Sequence, residues 1–332
     1  MPHFTLIICT YMRAKPLCEL LDSVNLQSLY PNDIIIVDGS VDRETEKVLQ
    51  LNKFNNLRYL KVGNANRGLT KQRNYGINNL LEETEIVCFL DDDTILDPNY
   101  FEALIGTYSK FPNALGVGGY ITNEVNWEKS DGISTNLNFY YNDGYKRTEP
   151  SRFKTRRKLG LEPDAKPGYC SSFSHGRSVS FLPPTNKTYK VEQFMGGVSS
   201  FKKSILDKHK FSTYFEGYGL YEDADYTFRI SKLGDLYVNT AAKLGHYHNA
   251  SGRPNKFSYG KMVIRNGWYV WRVRFPSPTI KARIKWNATA LLLTFIRATN
   301  IVTTSQKKEA LTETIGRCIG WLSLLFNKPK FI

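Results

Sequence analysis

Three groups of residues have types and spacings that can do chemistry. Phe89-Leu90-Asp91-Asp92-Asp93 is an apolar run ending on three consecutive carboxylates. Such neighbours repel and raise one another's pKa unless a cation shares them. Oxygen-only ligands with open positions suit Mg²⁺ or Mn²⁺ held jointly with substrate phosphates; turn preference alone would also put three Asp in a capping loop. The second group, Tyr221 to Ile230, reads as a helix whose acidic first turn suits the macrodipole. Asp225 and Arg229, four residues apart, are expected to pair structurally. Glu222 and Asp223 remain as carboxylates able to take a proton from an acceptor hydroxyl, a task commonly worth about 10² to 10⁴ in rate. The third group is His246-Tyr247-His248, which holds two of the five histidines. Isolated histidines are more often satisfied core or surface groups. In an extended chain, however, both rings point to one side, and one imidazole can complete a metal site begun by the aspartates.

These groups need elements to position them. Phe4 to Cys9, Ile34 to Val37, Leu57 to Val62 and Glu85 to Leu90 read as strands, and Lys15 to Gln27, Arg43 to Leu51 and Lys71 to Leu81 as helices between them. Strands alternating with helices imply a parallel sheet covered on both faces. Ligands of such sheets sit beyond the carboxyl ends of the strands, where this chain carries Thr10, Asp38 and the triple aspartate. Gly116-Val117-Gly118-Gly119 is no dinucleotide fingerprint, since the third glycine of G-x-G-x-x-G would fall on Ile121. Asn123 to Glu192 is polar, aromatic and basic, and is expected to form long loops with a hairpin.

With 332 residues and 41% apolar content, the chain can bury a large core. Its formal charge of +14 is uneven: residues 1 to 130 hold 12 Lys and Arg against 17 Asp and Glu, while residues 251 to 332 hold 15 against two. Five scattered cysteines without a C-x-x-C pair argue against a disulfide framework or a zinc site, and for a reducing compartment. No charged n-region followed by an apolar h-region opens the chain, so no export signal is expected. The most apolar late stretch, Ala288 to Ile296, is far shorter than the roughly 20 residues of a spanning helix.

Together the motifs resemble the inverting family 2 glycosyltransferases of GT-A fold, over roughly residues 3 to 253. Ile7-Ile8-Cys9-Thr10-Tyr11-Met12-Arg13 looks like the family's opening strand and nucleotide loop, which implies donor-binding roles for Thr10, Tyr11 and Arg13. Val37-Asp38-Gly39-Ser40 is similar to the segment whose aspartate meets the base. Asn66-Arg67-Gly68 followed by Arg73-Asn74-Tyr75-Gly76 is similar to the donor-site helix. Asp91-Asp92-Asp93 matches the D-x-D metal motif, with Asp91 and Asp93 as the implied ribose and metal contacts and Asp92 within the donor-binding set. Met195-Gly196-Gly197 with Phe201-Lys202-Lys203 looks like the sugar and acceptor loop, and Glu222-Asp223 like the E-D pair whose aspartate is the base. The histidines resemble a late metal-ligand motif of galactofuranosyl- and rhamnosyl-transferase-like members, His246 first and His248 second.

The resemblance implies an α/β fold. A Rossmann-like GT-A domain with a mixed central sheet would span 1–253, with 1–122 as the nucleotide-sugar half and 123–253 as the acceptor side; a basic amphipathic helical extension would follow at 254–332. It also implies a Mn²⁺ or Mg²⁺ cofactor, a nucleotide-diphosphate sugar donor with UDP or dTDP favoured, and a saccharide or lipid-linked saccharide acceptor. Arg73 or Arg253 would add charge at the leaving group. The family's long-polymer synthases carry Q-x-x-R-W and several spanning helices, and this sequence has neither.

From Phe257 to Trp286 aromatics alternate with cations, among them Trp268, Trp271, Arg272, Arg274, Lys285 and Trp286. That mix suits an anionic membrane surface, and attachment to the cytoplasmic face of the inner membrane is the expectation; packing on the catalytic domain is the plainer alternative. A second basic run, Lys146-Arg147 through Arg152, Lys154, Arg156, Arg157 and Lys158, can face the same surface or the pyrophosphate of a lipid-linked acceptor. A nucleic-acid-binding protein would explain the basicity and leave the acidic cluster without purpose. A catalytically silent glycan-binding relative would be expected to lack Asp93 or Asp223.

Overall fold

The unbroken apolar runs fold as strands. In chain order the computed structural model, which describes residues 1–131, 136–215, 218–248 and 254–330, begins with β1 (Phe4–Thr10), α1 (Ala14–Asn25), β2 (Asp33–Asp38), α2 (Glu44–Leu51), β3 (Leu57–Lys61) and α3 (Leu69–Ile77). Then come β4 (Ile86–Asp91), β5 (Thr94–Leu96), α4 (Tyr100–Lys110) and β6 (Ala114–Ile121). All of β2 and all but Cys9 of β1 are buried, as strands covered on both faces must be. Helix α1 adds Leu17, Leu20, Leu21 and Val24 to the same core, its apolar residues recurring at three- and four-residue spacing.

After β7 (Glu128–Lys129), β8 (Phe139–Asn142), β9 (Tyr145–Thr148) and α5 (Ser151–Lys158), the chain continues through β10 (Thr188–Val191), β11 (Val198–Lys202), α6 (Lys203–Lys208), α7 (Glu222–Ile230) and β12 (Asp235–His246). It closes with α8 (Lys256–Arg274), α9 (Ile280–Thr303) and α10 (Lys307–Phe326). The large sheet has the order β10-β12-β6-β11-β4-β1-β2-β3, with β5 on β12. Strands β1 to β4 are parallel neighbours, whereas β11 runs antiparallel between β4 and β6. The sheet is therefore mixed, as the family resemblance implies; alternation alone pointed to parallel pairing throughout. Strand β11 is not reached from a neighbouring strand by the helical crossover that parallel pairing requires. The Gly116 to Gly119 run lies inside β6, where the rings of Phe201, Phe194 and Tyr100 occupy the space of the missing side chains.

Two compact units result: Met1–Asn126 with Leu182–Gly252, and Trp127–Phe181 with Arg253–Ile332. The first unit stops at Gly252, and the second also takes in Trp127–Phe181, part of the stretch expected to form long loops with a hairpin. In the second unit, β7, β9 and β8 form a small antiparallel sheet. Its β8–β9 hairpin turns on Asp143-Gly144, both at positive φ, as a two-residue hairpin turn demands.

Trp271 stacks on Trp286 with ring centroids 5.8 Å apart, and its indole N–H donates to the carbonyl of Ser172 at 3.0 Å. Trp268, Trp271 and Trp286 are thus core, not a surface belt, because each ring finds an apolar partner inside the unit. Helices α8 and α10 cross at glycines, where a Cβ on Gly260 would lie 2.2 Å from the carbonyl oxygen of Glu313 and one on Gly316 would lie 2.1 Å from that of Phe257. The apolar residues left exposed are others: Ile284, Leu291, Phe295 and Val302 recur along one stripe of α9, and Leu311, Ile315, Ile319 and Leu322 along α10. Among the described residues no helix is long and apolar enough to cross a membrane.

The second basic run is partly spent on internal bonds, with Arg156 buried and Lys146, Arg147, Lys154 and Arg157 half-buried. The buried guanidinium of Arg156 donates to Leu161 O, His175 O and Ser174 Oγ, while Arg157 and Arg177 both donate to the buried Glu149. Arg152 and Lys158 are its exposed cations.

Candidate active site

The carboxyl ends of β1, β2 and β4 lie side by side because β1 pairs in register with both neighbours, setting Thr10 beside Asp38 and Cys9 beside Asp91. Asp92, the middle aspartate, turns inward. Its two oxygens accept from Thr10 Oγ1 at 2.7 Å and Arg13 Nη1 at 2.9 Å, and Arg13 also reaches Asp93 at 3.2 Å. Burial raises the Asp92 carboxyl to about 6 against the pull of Arg13 and Thr10. Asp92 thereby braces Thr10 and Arg13 against the strand end, while Asp91 and Asp93 flank it.

Asp38 is fully buried. It accepts from the Ser40 N–H at 2.7 Å, Tyr59 Oη at 2.7 Å and Lys61 Nζ at 3.1 Å. Burial alone would raise its pKa, but these bonds outweigh it and hold the carboxylate low. Arg67 Nε donates to the Gly39 carbonyl at 2.7 Å and its guanidinium lies 5.8 Å from the ring of half-exposed Tyr11. Gln72, which sequence reasoning missed, joins the two strand ends by donating to Thr10 O at 3.1 Å and Val37 O at 2.8 Å.

Arg73 is the centre of the second cluster. Its buried guanidinium sits 2.5 Å from Glu222 Oε1 and 3.6 Å from Asp91 Oδ1, with the rings of Phe89 and Phe211 beside it. Burial pushes the Glu222 carboxyl up to about 8 even against Arg73. Asn74 spends both ends of its amide on the backbone of Phe211, at 2.9 Å each, and so anchors the segment that covers Arg73. Gly196 and Gly197 pass over this group. A Cβ on Gly197 would lie 2.0 Å from Asp91 Oδ2, and one on Gly196 would lie 2.5 Å from Glu222 Oε1, so no side chain fits either place.

Asp223 differs from Glu222. It has no ion pair among the described contacts and accepts from the N–H of Ala224 at 2.7 Å and of Gly196 at 3.4 Å. Burial, partly offset by these N–H bonds, raises its pKa. The residue before the pair, Tyr221, holds the left-handed φ of 70°, a conformation costly for a bulky side chain and found chiefly at functional sites. Asp225 pairs with Arg229 at 2.8 Å.

Strand β12 pairs with β5 so that His246 stands opposite Thr94. His246 Nε2 is 3.1 Å from Asp93 Oδ1, and the ligand atoms of Asp91, Asp93 and His246 lie within 4.8 Å of one another. Two carboxylates and an imidazole fit a divalent ion. Burial would lower the His246 pKa, but the bonds to Asp93 and Glu124 push it up to about 10, which marks the spot as one that favours positive charge. The His248 ring lies 4.1 Å from that of His246, tilted by 55°, and bonds Glu124, not Asp93. Glu124, also missed in the sequence, meets both histidines only because β6 and β12 are neighbours. Arg253 lies outside the described residues.

A curled mixed sheet with acidic groups gathered at its strand ends defines a GT-A type α/β protein. The model of glycosyl transferase family 2 matches residues 5–180, more than half of the chain, and the chain belongs to that family. It is 29% identical over 121 residues to the glucosyl-dolichyl phosphate glucuronosyltransferase of Haloferax volcanii, covering 35% of this chain and 37% of the relative. It is 30% identical over 117 residues to the glycosyltransferase GlyA of Streptococcus pneumoniae serotype 4, covering 35% of this chain and 16% of the relative. The chain thus spans well under half the length of these curated relatives. The crystal structure of S. aureus TarS 1-349 superposes with a TM-score of 0.52 over 97% of this chain and 80% of that one, at 15% identity, a likeness of fold.

Proposed function

We propose that the protein is an inverting, metal-dependent glycosyltransferase, moving a sugar from a nucleotide-diphosphate donor to a hydroxyl of a glycan or lipid-linked saccharide. The observation that carries the reading is the pairing of Asp223, held only by N–H groups, with a neighbouring Glu222 that is committed to Arg73. One carboxylate is left to accept a proton while the other fixes the geometry. Asp223 takes the proton of the acceptor hydroxyl as that oxygen attacks the anomeric carbon, and the glycosidic bond to the diphosphate breaks on the opposite face, inverting configuration.

Asp91, Asp93 and His246 would hold Mn²⁺ or Mg²⁺, which when bound supplies positive charge for the departing diphosphate. Arg73 holds Asp91 and Glu222 at a fixed separation. Thr10, Tyr11, Arg13, Asp38, Gly39 and Arg67 form the donor wall, where the buried Asp38 fixes the loop that meets the base. A UDP or dTDP donor is our reading from the family resemblance. A relative whose name includes glucosyl-dolichyl phosphate supports the lipid-linked acceptor, and the exposed apolar stripes of α9 and α10 in a basic segment support attachment to the cytoplasmic face of an anionic membrane. The test is a panel of nucleotide sugars, each incubated with the protein and Mn²⁺, with release of nucleotide diphosphate measured. A turnover with one donor, lost in Asp223→Asn, supports the reading. Donor and glycan binding without any turnover would instead make the protein a silent glycan-binding relative.

A further inference from the structure

His246 uses its two ring nitrogens in opposite directions. Nε2 faces Asp93 at 3.1 Å, while Nδ1 lies 3.3 Å from Glu124 Oε1, the same oxygen that stands 3.0 Å from His248 Nε2. We propose that Glu124, His246 and His248 form a second cation site, one that takes Zn²⁺ or a similar borderline-soft divalent ion and is chemically distinct from the Asp91–Asp93 pair.

The spacing suits such an ion. A tetrahedral Zn²⁺ with bonds of about 2.0–2.1 Å sets its ligand atoms roughly 3.4 Å apart, and the two contacts to Glu124 are 3.0 and 3.3 Å. All three ligand atoms lie within 4.8 Å of one another. Three protein ligands would leave the fourth position for water or a small anion. The donor set also selects the metal: two imidazoles favour zinc, nickel or copper, whereas the oxygen-rich set across the ring favours magnesium or manganese.

The trio is built in advance. His246 ends β12 and His248 follows two residues on, with their rings 4.1 Å apart. The amide of Asn123 makes both bonds to the His246 backbone, at 2.9 and 3.0 Å, and the Tyr247 N–H donates to Asp93 O at 2.8 Å, so Glu124 is brought to a strand end already fixed. His248 is half exposed, which gives an ion a way in.

A neutral imidazole has a single lone pair to offer. An ion bound at Nδ1 leaves the proton on Nε2, which then donates to Asp93 and no longer serves the oxygen-rich set. Zinc at the trio therefore weakens Mn²⁺ at Asp91, Asp93 and His246, an antagonism independent of any transfer reaction.

The experiment titrates the full chain with Zn²⁺ alone against a chromophoric chelator, and with Mn²⁺ alone by electron paramagnetic resonance, for wild type, His248→Ala, Glu124→Gln and Asp93→Asn. Removing a ligand costs at least the roughly 10–100-fold seen when a ligand's supporting group is lost. Zn²⁺ affinity is expected to fall by at least that much in His248→Ala and Glu124→Gln, and by less in Asp93→Asn, which keeps all three ligands and alters only the acceptor of the His246 Nε2–H. Mn²⁺ affinity falls in Asp93→Asn, and saturating Zn²⁺ lowers it in wild type but not in His248→Ala. Zinc binding kept in His248→Ala and lost in Asp93→Asn would put the ion in the oxygen-rich set. No zinc binding in any of the proteins would leave Glu124 as a group that only orients His246. Either result overturns the proposal.

Discussion

Asp223→Asn separates the proposed base from the scaffold. The carboxylate accepts from Ala224 N at 2.7 Å and Gly196 N at 3.4 Å, and an asparagine oxygen can keep the shorter bond. The exchange is isosteric and puts at risk one long hydrogen bond, so stability should fall by no more than about 0.5–1.5 kcal/mol. Loss of a general base costs about 10² to 10⁴ in rate, or roughly 2.7–5.4 kcal/mol on the barrier. Glu222→Gln should do the reverse. Its buried Oε1 sits 2.5 Å from Arg73, and an amide keeps an oxygen there but puts its N–H groups where Oε2 has no partner, leaving a buried donor unsatisfied at a cost of about 1–3 kcal/mol of stability. Urea unfolding, calorimetric donor titration and single-turnover transfer read the three quantities separately. The reasoning fails if Asp223→Asn slows transfer less than tenfold, or if donor affinity falls in proportion to the rate. It fails equally if Glu222→Gln unfolds no more easily than wild type.

Chelation with EDTA should abolish transfer, and Mn²⁺ or Mg²⁺ should restore it in wild type but not in Asp93→Asn, as read by diphosphate release. Replacing Ile284, Phe295 and Val302 together by Ser should abolish sedimentation with anionic liposomes at low salt while donor hydrolysis persists, because each large side chain withdrawn from water contributes about 1.5–3 kcal/mol. Gly316→Ala should lower the urea midpoint by about 1–3 kcal/mol in stability, since the new Cβ meets the Phe257 carbonyl at 2.1 Å and drives α8 from α10. Burial, with Arg156 and Arg152 adding to it, holds His175 down to about 4. Below pH 6.5 the unfolded chain takes up a proton there that the folded chain refuses. Stability should therefore fall between about pH 6.5 and 4 by at most about 3 kcal/mol, and His175→Gln should flatten that slope in urea titrations.

The parallel part of the large sheet was legible because its information is local. The β1, β2 and β4 runs are apolar through their middles, and each stops on a polar residue that marks the strand terminus, so the strands were read to within a residue or two. The last turn of α3 was overread: the expected helix ran to Leu81, but the structure stops at Ile77, where Asn78 and Asn79 take over. The pair Asp225–Arg229 was readable from spacing, since a helix sets it without help from elsewhere. What escaped notice depends on register between distant strands. Glu124 is an unremarked acid in a polar stretch until β12 pairs with β6, and Gln72 looks like any helical glutamine until β1 and β2 end beneath it. The tryptophans of α8 and α9 misled for the same reason, since a ring spaced among cations looks alike whether it faces solvent or another ring.

The place of β11 has a bearing on how the molecule is made. It fills the slot between β4 and β6, yet β6 ends at Ile121 and β11 begins only at Val198. At about 5–20 residues per second, a ribosome takes several seconds to deliver the missing strand. During that interval the facing edges of β4 and β6 have backbone groups with no partner, and an open edge is a template for any other nascent chain nearby. The yield of soluble protein should then depend on translation speed and on chaperones that shield strand edges, and pausing between Ile121 and Val198 should cost more product than pausing after the slot is filled.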